Sequence, residues 1–449
     1  MENQDKKVLL RVEHLSQHFK LGKAVLRAVD DVNFEIYKGE VFGLVGESGC
    51  GKTTTGRTII RLYDATGGSV YFDDKRIVAG TLEYKTAIKM AKMKFDMANK
   101  ALDEEMKALS PEDKAARQEE FNARKKAIVD EFVQVKTENI KKIKDARYDH
   151  HNCNKEFARF EVQKVEDQYA PLLANKKAEL EAAKSSGDEA TILAKQGELD
   201  ALNKEYKDAR RIASKDRIMN KIQMIFQDPI ASLDPRMTVR DIIAEGLIIR
   251  GIRDKKYIDE QVYKVLEMVG LVQEHATRYP HEFSGGQRQR IGIARSIILK
   301  PELIIADEPI SALDVSIQAQ VINLLNQLRE QMGLTILFIA HDLSVVKYFS
   351  DRIAVMYFGH IVELATSDEL FKHPLHPYTK SLLSAIPLPD PNYEKKRKRI
   401  TYNPLSAHDY TKEGPVMREI LPGHFILCNS EELVKYQEEI KKLDLSNKD

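Results

Sequence analysis

Residues 41–53 read VFGLVGESGCGKT, and the fold turns on this stretch. Val41 to Val45 is a short unbroken apolar run of the kind a strand buried on both faces needs, and TTTGRTIIRL at 53–62 opens a helix. Between them Gly46, Gly51, Lys52 and Thr53 satisfy G-x-x-x-x-G-K-[ST], the spacing of a phosphate-binding loop. Glycines let the backbone wrap close to phosphate oxygens, where a Cβ would block the approach. Successive backbone N–H groups then point inward, and the following helix start adds positive potential. Lys52 is expected to reach the β- and γ-phosphates of a nucleotide, and the Thr53 hydroxyl to ligate Mg²⁺. The competing reading is a glycine-rich turn with an incidental lysine; a strand before it and a helix after it speak against that.

The chain of 449 residues has room for two or three domains. Its formal net charge of +1 gives no footprint for a polyanion, which argues against a nucleic-acid partner. The opening MENQDKK is polar and charged, without the apolar segment of a signal peptide behind it. No uninterrupted apolar stretch reaches the roughly 18 residues that cross a bilayer. The expectation is a soluble or peripheral protein; if it serves a membrane process, other chains must cross. The 3 cysteines, Cys50, Cys153 and Cys428, lie far apart, in keeping with a reducing cytosol and with neither a metal cluster nor a disulfide framework. Cys50, inside the loop, reads as a small filler.

Three textures divide the chain. Residues 8–79 and 213–372 alternate apolar runs with amphipathic helices, an α/β pattern. Residues 80–212 are dense in Lys, Glu, Ala and Asp and poor in Gly, which predicts long helices. Residues 373–449 carry Pro-rich segments and the basic run Lys395, Lys396, Arg397, Lys398, Arg399, marking a separate C-terminal region. In the middle region Ile88, Ala91, Phe95, Ala98, Leu102 and Leu109 form a heptad-like seam. Ser110 and Pro111 resemble a helix start, and a second stripe runs through Phe121, Ile128, Phe132 and Val135. The polar stretch His150 to Asn154 is expected to turn the chain, a third stripe to follow through Phe157, Phe160 and Val165, and Pro171 to kink or interrupt its helix. Asp188 is a cap for a last helix through Leu199, Leu202 and Tyr206. The expectation is a hairpin or short antiparallel bundle of about four segments. Its many charges read as a solvated surface.

Further motifs add chemistry. In PELIIADEPISALD, an apolar strand ends in Asp307, placed to hold Mg²⁺, and Glu308, the candidate general base that orients the attacking water. The alternative is an acidic pair that merely caps the next helix. TILFIAHDL ends in His341, where it can sense a γ-phosphate, although a lone histidine is more often structural. Gln227, in KIQMIFQDP, offers an amide for Mg²⁺ and water. EFSGGQRQRIGIARSI supplies a second anion-binding helix start, with Ser284, two glycines and then Arg288, Arg290 and Arg295. One nucleotide does not need two such starts. The economical explanation is that the second caps a nucleotide held by another subunit.

GESGCGKT, IFQDP, FSGGQ, LIIADEP, SALD and AHD, in this order and spacing, resemble the ATPase subunit of an ABC transporter. The resemblance covers the chain outside the middle region. It implies an α/β fold: a RecA-like P-loop ABC ATPase core, an antiparallel β subdomain and an α-helical signature subdomain, here with a long helical insertion and a C-terminal tail domain. It implies ATP and Mg²⁺ as cofactors. Gly46, Ser48, Gly49, Cys50, Gly51, Lys52, Thr53 and Thr54 are then Walker A, Gln227 the Q-loop glutamine, and Ser284, Gly285, Gly286 and Gln287 the signature. Asp307 and Glu308 close Walker B, Asp314 lies in the D-loop, His341 is the switch histidine, and Phe19 in QHFK takes the place of an aromatic that stacks on adenine.

More narrowly, IFQDPIASLDPRMTV, HPLHPYTKSLLSAIP and REILPGHFILCNSEE are similar to the oligopeptide/dipeptide permease ATPases, the last to the F-type subunit. This implies ATP-driven peptide import at the cytoplasmic face of the membrane. The implied partners are a second, D-type ATPase, two permease subunits and, indirectly, an extracellular peptide-binding protein. Related tails often carry a cysteine cluster for an iron–sulfur centre; with Cys428 alone, none is expected here. The helical insertion also departs from the family, and replacing 85–210 by a short linker is expected to leave nucleotide binding intact. Dipeptide or nickel import by the same subfamily is the near alternative. A coiled-coil ATPase of chromosome maintenance or repair is the distant one, but there the coil follows the Q-loop, whereas this insertion precedes Gln227. A catalytically silent subunit is opposed by the presence of Lys52, Gln227, Glu308 and His341.

Overall fold

The computed structural model describes residues 6–386 and 399–446. Lys395, Lys396, Arg397 and Lys398 of the basic run, and the first five residues, lie outside the described residues. The chain opens with two long strands, β1 (Val8–Leu21) and β2 (Ala24–Tyr37), then β3 (Val41–Val45) and α1 (Lys52–Ile59), which bracket the phosphate loop. β4 (Gly67–Phe72) and β5 (Lys75–Ala79) complete a four-stranded antiparallel sheet in the order β2-β1-β4-β5. The insertion follows as α2 (Leu82–Ala108), α3 (Pro111–Ala116), α4 (Gln118–Ser186) and α5 (Glu189–Ala213). The core resumes with β6 (Ile222–Ile225), α6 (Pro229–Ser232), α7 (Val239–Ile249), α8 (Lys255–Met268) and α9 (Gly285–Ile297). Next come β7 (Leu303–Asp307), α10 (Val315–Met332), β8 (Thr335–Ala340), α11 (Leu343–Phe349), β9 (Arg352–Tyr357), β10 (His360–Thr366), α12 (Ser367–Lys372) and α13 (Pro377–Ala385). β11 (Val416–Leu421), β12 (His424–Cys428) and the helix Ser430–Ser446 close the chain.

The second sheet has eight strands in the order β11-β12-β10-β9-β3-β8-β7-β6. β6, β7, β8, β3 and β9 pair in parallel, and β10, β12 and β11 continue antiparallel. The parallel strands are buried on both faces, and side chains alternate between two cores as a period of two requires. In β7, Leu303 and Ile305 join the small sheet, whereas Ile304 and Ala306 face α7, α9 and α10. The phosphate loop leaves β3 in the middle of this sheet, at the carboxyl end of the strands, where α/β folds bind ligands. α7, α8 and the start of α9 form a separate helical layer over Ile242, Val262, Leu266 and Ile291.

The C-terminal region extends the same sheet: β12 pairs with β10, and Ile426 and Cys428 pack with Leu375, Tyr436 and Ile440. The composition shift at 373 is therefore not a break in the sheet. Cys428 is fully buried there, which pushes its thiol up to about 11.

The insertion departs from the bundle expected. The predicted turn at His150 to Asn154 does not exist; α4 is continuous over 69 residues and Pro171 does not interrupt it. The polar residues at 149–154 mark where the helix lies on the rim of the core. Asp149 accepts from Arg76 at 2.8 Å, the Cys153 thiol meets the Arg61 guanidinium, and Cys153 and Phe157 enter the core of the small sheet. The first half of α4 packs on α2, with Phe95 and Phe132 rings 5.0 Å apart; the second half packs on α5, with Tyr169 and Tyr206 at 5.7 Å. Two helical arms thus leave the core in opposite directions and share one helix. The seam residues of both arms are packed as their spacing predicts, apart from Phe160, whose half-exposed ring carries the ammonium groups of Lys75 and Lys164.

Candidate functional site

The phosphate loop is fixed by its neighbours. A Cβ on Gly46 would lie 2.2 Å from the Met356 carbonyl oxygen, and one on Gly51 (φ 110°) 2.1 Å from that of Ala28, so neither position accepts a side chain. Ser48 and Gly49 form the exposed crest, Cys50 is tucked beneath, and Thr53 and Thr54 open α1. Lys52, only 4% exposed, donates through Nζ to the carbonyl oxygens of Gly46 and Glu47, both at 2.8 Å. Burial raises the Cys50 thiol above its ordinary range, against a smaller downward pull from Lys52.

Asp307 at the end of β7 is 0% exposed and accepts from the Thr53 hydroxyl at 2.7 Å through Oδ1. Its Oδ2 is buried without a hydrogen-bond partner among the described residues. Burial raises this carboxyl group's pKa, and the Thr53 hydroxyl only partly offsets that. A buried acidic oxygen left without a donor, next to a hydroxyl, fits a hard cation such as Mg²⁺. Among the described residues no group of three or more His, Cys, Asp or Glu gathers to hold a metal alone.

Glu308, 12% exposed, stands where three elements meet. Its Oε2 accepts from Gln227 Nε2 at 3.0 Å and lies 3.2 Å from His341 Nδ1. Its backbone sits at φ 44°, a left-handed conformation that costs a non-glycine residue about 1–3 kcal/mol. The Glu308 N–H donates to Ile339 of β8 at 2.9 Å, which helps to hold it there. The geometry thus gathers Lys52, Thr53, Asp307, Glu308, Gln227 and His341 into one place, from four segments of the chain.

Among the described residues, the other candidates outside the phosphate loop share no hydrogen bond with this group. Ser284 caps α9, accepting from Gln287 N at 3.3 Å while the Gln287 side chain accepts from Ser284 N, and among the described residues no hydrogen bond joins this cap to the phosphate loop. A Cβ on Gly286 would lie 2.7 Å from Ile317 Cγ2 and one on Gly285 3.8 Å from Leu313 Cδ2, beside exposed Asp314 at the start of α10. Phe19 is half-buried in β1, edge-on to Tyr63 at 5.4 Å. The expectation that Arg288, Arg290 and Arg295 serve an anion needs correction. Their guanidinium groups donate to the carbonyls of Phe283, Val269 and Ser232 and brace the helical layer. One contact had no signal in local spacing: the Tyr378 hydroxyl of α13 accepts from the Glu47 N–H of the phosphate loop at 2.9 Å.

A family model described as "ABC transporter" matches residues 29–166 and 187–311. The chain belongs to the ABC transporter family. A second model of this kind, "Oligopeptide/dipeptide transporter, C-terminal region", matches residues 362–414. Among relatives of this ABC chain, the oligopeptide transport ATP-binding protein OppF of Bacillus subtilis is 44% identical, covering 94% of this chain and 97% of its own. OppF of Streptococcus mutans is 40% identical, with 97% and 99% covered. The dipeptide transport ATP-binding protein DppF of Lactococcus lactis is 38% identical, with 96% and 97% covered. Among the described residues no helix of this ABC chain is long and apolar enough to cross a membrane.

Proposed function

We propose that this chain is the F-type ATPase of an oligopeptide importer, which hydrolyses MgATP at a site shared with a second ATPase. The observation that carries the reading is the Glu308 carboxylate, held between Gln227 and His341 and beside the Thr53–Asp307 pair. Lys52 and the loop N–H groups bind the β- and γ-phosphates, and Phe19 stacks on adenine. Thr53, Gln227 and Asp307 would hold Mg²⁺, which would supply positive charge to offset that of the phosphates. Glu308 orients the attacking water and accepts its proton, while His341 fixes the carboxylate and faces the γ-phosphate. The Ser284 cap and the exposed Asp314 serve the nucleotide of the partner, read as a D-type subunit.

Two permease subunits are the coupled membrane chains, met through the exposed segment after Gln227, and this chain sits peripherally at the cytoplasmic face. Oligopeptides are favoured over dipeptides by the names of the relatives with higher identity, OppF rather than DppF. Glu308→Gln should keep ATP affinity and lower turnover by about a hundredfold or more in the assembled complex. Wild-type turnover in that variant would overturn the assignment of the base. Purification from membranes should recover two permease chains and a second ATPase.

A further inference from the structure

We infer that Tyr378, 331 residues along the chain from the phosphate loop, is a positioning residue for the loop lysine. The inference rests on the reading of that loop as the ATP site. The Glu47 N–H, which donates to the Tyr378 hydroxyl at 2.9 Å, and the Gly46 carbonyl, which accepts from Lys52 Nζ at 2.8 Å, belong to one peptide unit. A peptide unit is planar, so fixing one end fixes the other. The tyrosine thereby sets the orientation of a carbonyl that aims the Lys52 ammonium. Any rotation of this plane, as the lysine moves between carbonyl and phosphate, has to be made against the same hydroxyl.

The tyrosine itself has little freedom. It is 1% exposed, with the rings of Tyr357 and Tyr402 at 4.4 and 5.5 Å. Its N–H donates to His376 Nδ1 at 3.1 Å, and burial holds that imidazole neutral with its pKa lowered to about 3, so the accepting lone pair is kept. The segment before it is anchored by Glu363 of β10, whose buried carboxylate accepts from Leu375 N, His376 N and the His424 ring of β12 at 2.9, 3.0 and 2.9 Å. A line of hydrogen bonds, buried up to its last link at Glu47, therefore runs from the C-terminal strands, through Glu363 and α13, to the loop. The C-terminal region acts on the nucleotide site through one phenol oxygen.

The test is Tyr378→Phe in the full-length chain, with Lys52→Ala as control. Phenylalanine keeps the ring packing and removes only the oxygen. The losses expected are those of one hydrogen bond, so MgATP affinity should fall about fivefold. KM for ATP in the assembled complex should rise by a similar factor with kcat little changed, and the melting temperature without nucleotide should stay within about a degree or two. Unchanged affinity and KM in Tyr378→Phe, with binding lost in Lys52→Ala, would overturn the positioning role alone. Retained binding in Lys52→Ala would instead overturn the ATP-site reading beneath it. If Tyr378→Phe melts much lower without nucleotide and KM is unmoved, the tyrosine is only part of the core and the inference fails.

Discussion

At Gly51 the chain makes a turn that no other residue can make, because φ is 110° and the Ala28 carbonyl oxygen occupies the space of a Cβ. Gly51→Ala should therefore displace the loop and abolish binding of a fluorescent ATP analogue; wild-type affinity in that variant would contradict the strain. The neighbouring Cys50 gives a test by pH. Burial raises its thiol pKa, so the thiolate is scarcer at pH 8 than in a free cysteine and becomes abundant only at higher pH. Peptide mapping after iodoacetamide at pH 8 should find Cys50 modified more slowly than free cysteine; faster labelling would sink this account. These residues were legible in the sequence because eight consecutive letters carry both the turn chemistry and the ligands. Tyr378 was not, since its meaning lies in a contact across most of the chain. The three arginines after the signature misled for the opposite reason. Their charge was visible, but the carbonyls that occupy it were not.

At the scale of elements the insertion is most instructive. Its seam residues were readable from three- and four-residue steps, yet its shape was not. A polar stretch such as 149–154 reads the same whether the chain turns there or lies against charged groups of another element, here Arg76 and Asp64. Pro171 likewise removes one donor, but a helix whose second half packs on α5 continues past it. Because Cys153 and Phe157 belong to the core of the small sheet, removing 85–210 altogether strips that core. Trimming the two arms separately, with 91–136 and 173–202 each replaced by a short Gly-Ser linker, should leave folding and ATP affinity unchanged; loss of affinity in a folded trimmed chain would show that the arms serve the site. Phe157→Ala should cost about 3 kcal/mol in an equilibrium unfolding experiment, and a change below half of that would mean the helix only rests on the core.

For the molecule as a whole, the separation of the Ser284 cap from the gathered residues around Glu308 predicts two behaviours. Ser284→Arg should leave nucleotide affinity of the isolated chain unchanged, while turnover of the assembled complex falls by an order of magnitude or more. An isolated chain that cleaves ATP at the rate of the complex, indifferent to Ser284, would end the shared-site reading. The α/β architecture could be anticipated because the phosphate loop, Gln227, the Asp307–Glu308 pair and His341 each end or follow a short apolar strand. The continuity of the C-terminal strands with the large sheet could not, since pairing between β10 and β12 leaves no local mark. The 69 residues of α4 have one further consequence. At 1.5 Å per residue the helix is a beam about 100 Å long, seated on the small sheet near its midpoint. A tilt of that sheet by about 5° would swing each far end by about 4 Å, one up and one down, so the core is a fulcrum whose smallest movements are magnified at two distant points.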